Sequence, residues 1–138
     1  SHRQRRSTQR DFRLRTSDWH HMAGPWDRPL DAIAVGSHGR AHQELFVLVE
    51  GEVWHRWWMP EPQWSDWHKL TRLGMTATDI AVSSLTEGHL EVYALDATGR
   101  MRHRWYWPEP GWSDWTDMTT PRDDTTPPHM PLPEQSSA

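Results

Sequence analysis

The residues from Glu52 to Trp67 return as Arg100 to Trp115, and this duplication constrains the fold more than any other feature. Both copies carry His-Arg-Trp, then Pro-Glu-Pro, then Trp-Ser-Asp-Trp, at a constant offset of 48 residues. Upstream, Ile33-Ala34-Val35 matches Ile80-Ala81-Val82, and Glu44 to Leu48 matches Glu91 to Leu95, at an offset of 47. The one-residue difference falls in a turn, where Val49-Glu50-Gly51 faces Asp96-Ala97-Thr98-Gly99, and turns tolerate insertions. A third, partial copy is visible at Ser17-Asp18-Trp19, 48 residues before Ser65-Asp66-Trp67.

Each unit is punctuated by Gly- and Pro-containing turn signals that separate β-branched and aromatic runs. Four short strands are predicted per unit, at about 32–36, 44–50, 53–59 and 65–70 in the first and about 79–83, 90–96, 100–107 and 113–118 in the second. No stretch carries a 3.6-residue apolar stripe. Four strands in about 40–50 residues is the pattern of a propeller blade. The third strand, Val53-Trp54-His55-Arg56-Trp57-Trp58, places large side chains on both faces. A strand with one face in water would not do so, whereas one packed between two neighbouring sheets would. The predicted fold is therefore all-β: two complete four-stranded blades plus one extra strand around Thr16 to Met22. The domain plan is a basic tail over 1–11, a partial strand and linker over 12–30, blades over 31–70 and 71–118, and a Pro-rich tail over 119–138. Both tails have the composition of flexible segments.

Composition agrees with a core built on indole rings. The chain has eleven Trp, two Phe and two Tyr, and each Trp can bury roughly 150–250 Å². The formal net charge of −4 argues against nucleic acid as the main partner, although six Arg between Arg3 and Arg15 could meet an acidic surface. Cysteine is absent, which excludes disulfides and thiolate metal sites. No apolar run approaches the roughly 20 residues of a membrane span. Ser1 to Arg15 lacks the apolar segment of a signal peptide. The compartment is not fixed by the sequence, with a secreted or cell-surface place favoured.

At Gly51 to Trp67 and Gly99 to Trp115 the repeat resembles the PLL-like bacterial lectins, which are seven-bladed propellers, and more loosely the tectonin-type propellers. The resemblance covers most of residues 31–118. It implies a lectin that binds fucose or related, sometimes O-methylated, sugars in pockets between adjacent blades. The sequence departs from the pattern at Gln63, which stands at the motif Gly, and at Arg102, which stands opposite Trp54. Two blades alone would leave two apolar faces bare. Either further copies complete the ring, a trimer with six blades being preferred over a tetramer with eight, or the two blades belong to a longer propeller.

Sugar recognition needs aromatic rings to stack on C–H faces and polar groups to meet hydroxyls. The residues singled out for ligand contact are Trp58, Tyr106 and Trp107 at the strand ends, Glu61 and Glu109 in the Pro-Glu-Pro turns, the paired His55-Arg56 and His103-Arg104, and Trp64 and Trp112. Trp57, Trp67, Trp105 and Trp115 are assigned to the core, and Asp66 and Asp114 to side-chain bonds that tie the turns. Adjacent residues on a strand point to opposite faces, so His20-His21 does not chelate one ion. No metal or cofactor is expected. No catalytic motif is present, so the expected function is binding of glycans, with a structural or protein-binding propeller as the alternative.

Overall fold

The computed structural model describes residues 18–22 and 24–118. Among these residues every element is a strand, and every strand pairing is antiparallel. The first sheet contains β1 (Ala32–Gly36), β2 (Gln43–Val49), β3 (Glu52–Met59), β4 (Gln63–Trp64) and β5 (His68–Lys69). The second contains β6 (Ala77–Ser83), β7 (Leu90–Asp96), β8 (Met101–Trp107), β9 (Gly111–Trp112) and β10 (Thr116–Asp117). Each sheet is a meander in chain order, with its two shortest strands both pairing to the third long one. The two sheets therefore fall on 32–69 and 77–117, close to the predicted repeat boundaries.

The fourth strand of each unit departs from expectation, because it is two fragments with a break at Ser-Asp-Trp. The serine causes the break. The Trp57 amide donates to Ser65 Oγ at 3.0 Å, and the Ser65 amide donates to the Trp57 carbonyl at 2.8 Å. Ser113 makes the same pair of bonds with Trp105, at 3.0 and 2.8 Å. A hydroxyl thus substitutes for a ladder carbonyl, and the chain bulges there. The serine hydroxyls, not the Asp66 and Asp114 carboxylates, tie these turns. Nor is the extra strand formed over its described part: residues 18–22 join no sheet, and Trp19 is fully exposed. The remaining residues of that prediction, like the two tails, lie outside the described residues.

The sheets pack face to face. Ala34, Phe46, Leu48 and Val53 project from the first sheet onto Ile80, Val82, Leu90, Val92 and Ala94 of the second, forming one apolar cluster. β1 and β6 approach closely. A Cβ on Gly36 would lie 2.6 Å from Val82 Cγ1 and 2.9 Å from Leu90 Cδ2, so glycine here admits the neighbouring sheet.

The repeated Arg and Trp form a stack. The Arg56 guanidinium lies 5.3 Å from the Trp64 ring and 5.1 Å from the Trp67 ring. Arg104 lies 5.5 Å from Trp112 and 5.6 Å from Trp115. Arg on an indole face is attractive through the ring quadrupole and through dispersion. The His-Arg-Trp and Trp-Ser-Asp-Trp segments are thus two halves of one local structure, which explains why they recur together.

Candidate ligand-binding cleft

Alternation along the strands decides what faces the gap between the sheets. On β3 the residues pointing inward are Val53, His55, Trp57 and Met59; on β8 they are Arg102, Arg104 and Tyr106. Val53 joins the apolar cluster. Farther along the strands the sheets diverge and leave a cleft of about 620 Å³. His55, Trp57, His68 and Lys69 line one side, and Arg104, Tyr106 and Trp112 line the other, with His38, His42, Glu44 and Thr71 at its margins.

Aromatic rings build the walls. Trp57 stacks on His68 with centroids 5.0 Å apart. Trp112 meets both Phe46 and His55 edge-on, at 6.3 and 5.7 Å. His38 stacks between His42, at 3.6 Å, and Tyr106, at 5.4 Å. Edge-on and offset contacts are the favourable ones for such rings.

A buried carboxylate anchors the floor. Glu44 Oε2 lies 2.5 Å from His55 Nδ1, and Glu44 Oε1 lies 3.1 Å from His42 Nε2. The His38 amide donates to His42 Nδ1 at 3.1 Å, so the His42 proton sits on Nε2 and is given to Glu44. The second sheet repeats the device: Leu85 donates to His89 Nδ1 at 2.8 Å, His89 Nε2 lies 3.4 Å from Glu91, and Glu91 lies 2.5 Å from His103 Nδ1. Burial lowers the basicity of His42 and His89 below the ordinary histidine range, outweighing the adjacent carboxylates.

Among the described residues His38, His42 and Glu44 are the group whose ligand atoms converge, within 4.8 Å. Their hydrogen bonds argue against an ion. Both His42 nitrogens and both Glu44 oxygens are engaged, so binding would have to break the network that orders the floor.

The structure sorts the candidates named from sequence. His55, Arg104, Tyr106 and Trp112 come together in the cleft. Trp58 and Trp64 line a shallower recess of about 450 Å³ on the other side of β3, with Ala41, His42 and Gln43. Arg56 is held on the outward face by two bonds to the Ser65 carbonyl, at 2.9 and 2.7 Å. Glu61 and Glu109 are exposed on their turns and line neither space. Trp107 is buried against His89, and His103 is completely buried. Of the indoles assigned to the core, Trp115 is buried there, whereas Trp57 is a cleft wall. Sequence reasoning also passed over His38, His68, Lys69 and the Glu44 pair. One signal was present: His-x-Glu at 42–44 recurs at 89–91.

Comparison of the chain with models of known protein families and with curated proteins found no match to either. The class that fold and cleft define is an all-β protein of two antiparallel sheets with an aromatic-walled cleft between them.

Proposed function

We propose that this protein is a non-catalytic carbohydrate-binding module whose sheets are propeller blades and whose sugar site is the cleft between them. The observation that carries the proposal is the wall of Trp57, Tyr106 and Trp112, set beside polar His55, His68 and Arg104 in one open cleft. Aromatic faces for C–H stacking, with a few convergent polar groups, are what a sugar pocket requires. The repeat resemblance points to fucose-like or O-methylated sugars as the first ligands to try.

The blade assignment, and closure of the ring by further copies, is supported by the equivalence of faces. The outward face of the first sheet carries Ile33 and Val35, 64% and 54% exposed. Their counterparts Ile80 and Val82 pack into the interface of the two sheets. The outward face of the second sheet carries Tyr93, Leu95 and Met101 around a recess of about 180 Å³. Their counterparts Phe46, Leu48 and Val53 receive Ile80 in the core. Each bare face thus carries the side chains that its equivalent uses internally, the arrangement of a head-to-tail interface, which gives a ring when the rotation between copies closes. Three copies giving six blades is the preferred arrangement.

A glycan array probed with the assembled protein tests the function, with a signal expected on at least one glycan class. Trp57→Ala and Trp112→Ala should then each weaken binding by at least about tenfold. Absence of any glycan signal would leave a structural or protein-binding propeller as the surviving reading.

A further inference from the structure

The loop that follows the first strand is built to one plan in both sheets. Ser37 Oγ donates to the Gly39 carbonyl at 2.7 Å, and Ser84 Oγ donates to the Thr86 carbonyl at 3.1 Å. The His38 amide donates to His42 Nδ1 at 3.1 Å, and the Leu85 amide donates to His89 Nδ1 at 2.8 Å. Both of these histidines are buried. Each loop thus presents one tip residue, His38 or Leu85, from a fixed scaffold.

The first tip has a seat. His38 stacks on Tyr106 of the second sheet at 5.4 Å, and its carbonyl accepts the Gly88 amide at 2.5 Å. The second tip is bare, with Leu85 55% exposed. The equivalents of the seat lie on the outward face of the first sheet. Trp58 stands for Tyr106, Trp64 for Trp112 and Ala41 for Gly88. Trp58 pairs directly with Trp64 across the strands, as Tyr106 does with Trp112. Ala41 shares the left-handed backbone of Gly88, at φ 54° against 89°. Trp58, Trp64 and Ala41 line the recess of about 450 Å³ with His42 and Gln43.

We propose that Leu85 of one copy seats in the Trp58–Trp64 recess of the next, as His38 seats on Tyr106 within the chain, with the Leu85 carbonyl accepting the Ala41 amide. The inference rests on the head-to-tail pairing of the outer faces and names the contact that sets its register. The two seats differ in a matched way. Inside the chain a polar ring meets a phenol, whereas between copies an aliphatic tip meets two indoles, and apolar surface leaves water. Charge is complementary too, because the loops carry Arg40 and Glu87 at equivalent positions, so opposite signs meet wherever loop meets loop. Ser83 stands where Gly36 admits the neighbouring sheet, so the junction is wider than the internal interface and the larger side chains fill it.

The test is sedimentation of the full 138-residue chain over a range of concentrations, beside Leu85→Asp and Leu85→Met. Leu85 lies outside the apolar cluster, so both variants retain the chain's own core. A carboxylate against indole faces is unfavourable, and Leu85→Asp is expected to raise the midpoint concentration of assembly at least about tenfold. Leu85→Met, which keeps the volume, should stay within about threefold. A Leu85→Asp midpoint equal to that of the unmodified chain overturns the seat while ring closure through the outer faces stands. If glycan binding is then also lost in Trp64→Ala, the recess belongs to a sugar instead. A chain that stays at 16.3 kDa at every concentration overturns the seat and closure by copies together, and leaves the carbohydrate reading to the glycan array.

Discussion

Gln63 sits in the left-handed region at φ 87°, at the position where the second repeat has Gly111 at φ 103°. Only glycine occupies that region without a steric cost. Gln63→Gly is expected to stabilise the protein by about 1 kcal/mol, read as a rise in Tm of about 5 °C. The serines that break the fourth strands make the opposite prediction. Ser113→Ala leaves the Trp105 amide without its acceptor and should cost about 1–2 kcal/mol. Ser113→Thr, which retains a hydroxyl, should recover part of that loss. An unchanged denaturation midpoint in Ser113→Ala would assign the bulge to backbone geometry instead. Arg56 and Arg104 occupy equivalent places between two indoles yet differ in bonding. The repeat makes them look interchangeable, but their neighbours give one a structural clamp and leave the other facing the cleft.

Each sheet carries a buried His-Glu-His set linking its second and third long strands. His42 and His89 are held neutral by burial. The sign of the pH dependence follows from linkage. Above the unfolded histidine pKa of about 6.5, neither state binds the proton and no penalty exists. Below it the unfolded chain takes up protons that the folded protein refuses, so stability falls as pH falls. The loss levels off once the folded-state pKa is passed. Thermal midpoints measured from pH 8 to pH 5 should therefore decline through the range below about 6.5. The decline should be shallower in a His42→Gln, His89→Gln double variant, in which the non-titrating amide replaces each ring. A pH profile identical in both proteins would show that other groups govern acid stability. The same network matters for the cleft, because Glu44 fixes the ring of His55 at its floor.

The whole molecule presents two unlike outer faces, and their pairing is a prediction about assembly. Ile33→Glu with Val35→Glu places two carboxylates on the exposed face of β1, in contact with nothing that the isolated chain needs for its core. If copies close a ring, the unmodified protein should sediment at about three times the 16.3 kDa chain mass, and the double variant near the chain mass itself. Burying an unpaired carboxylate in an apolar contact is strongly unfavourable. A wild-type monomer at all concentrations would contradict closure by copies.

How much of this was legible from the residues differs by feature. Strand positions 32–36 and 90–96 and the division into two repeats could be read directly, because turn residues, β-branched runs and a constant offset are local properties of the chain. His55, Arg104, Tyr106 and Trp112 were reachable as candidates because the repeat marks them. Trp57 and Trp107 were assigned the wrong way round in exposure. Both are indoles at strand positions, and only the divergence of the sheets opens one to the cleft while His89 covers the other. His55 and Arg104 are 49 residues apart. They line one cleft only because the second sheet lays the interior side of β8 over that of β3. Turn signals and the repeat offset therefore located the long strands. The choice between wall, floor and core was made by the packing of one sheet on the other, since burial and charge pairing depend on neighbours that sequence distance does not record.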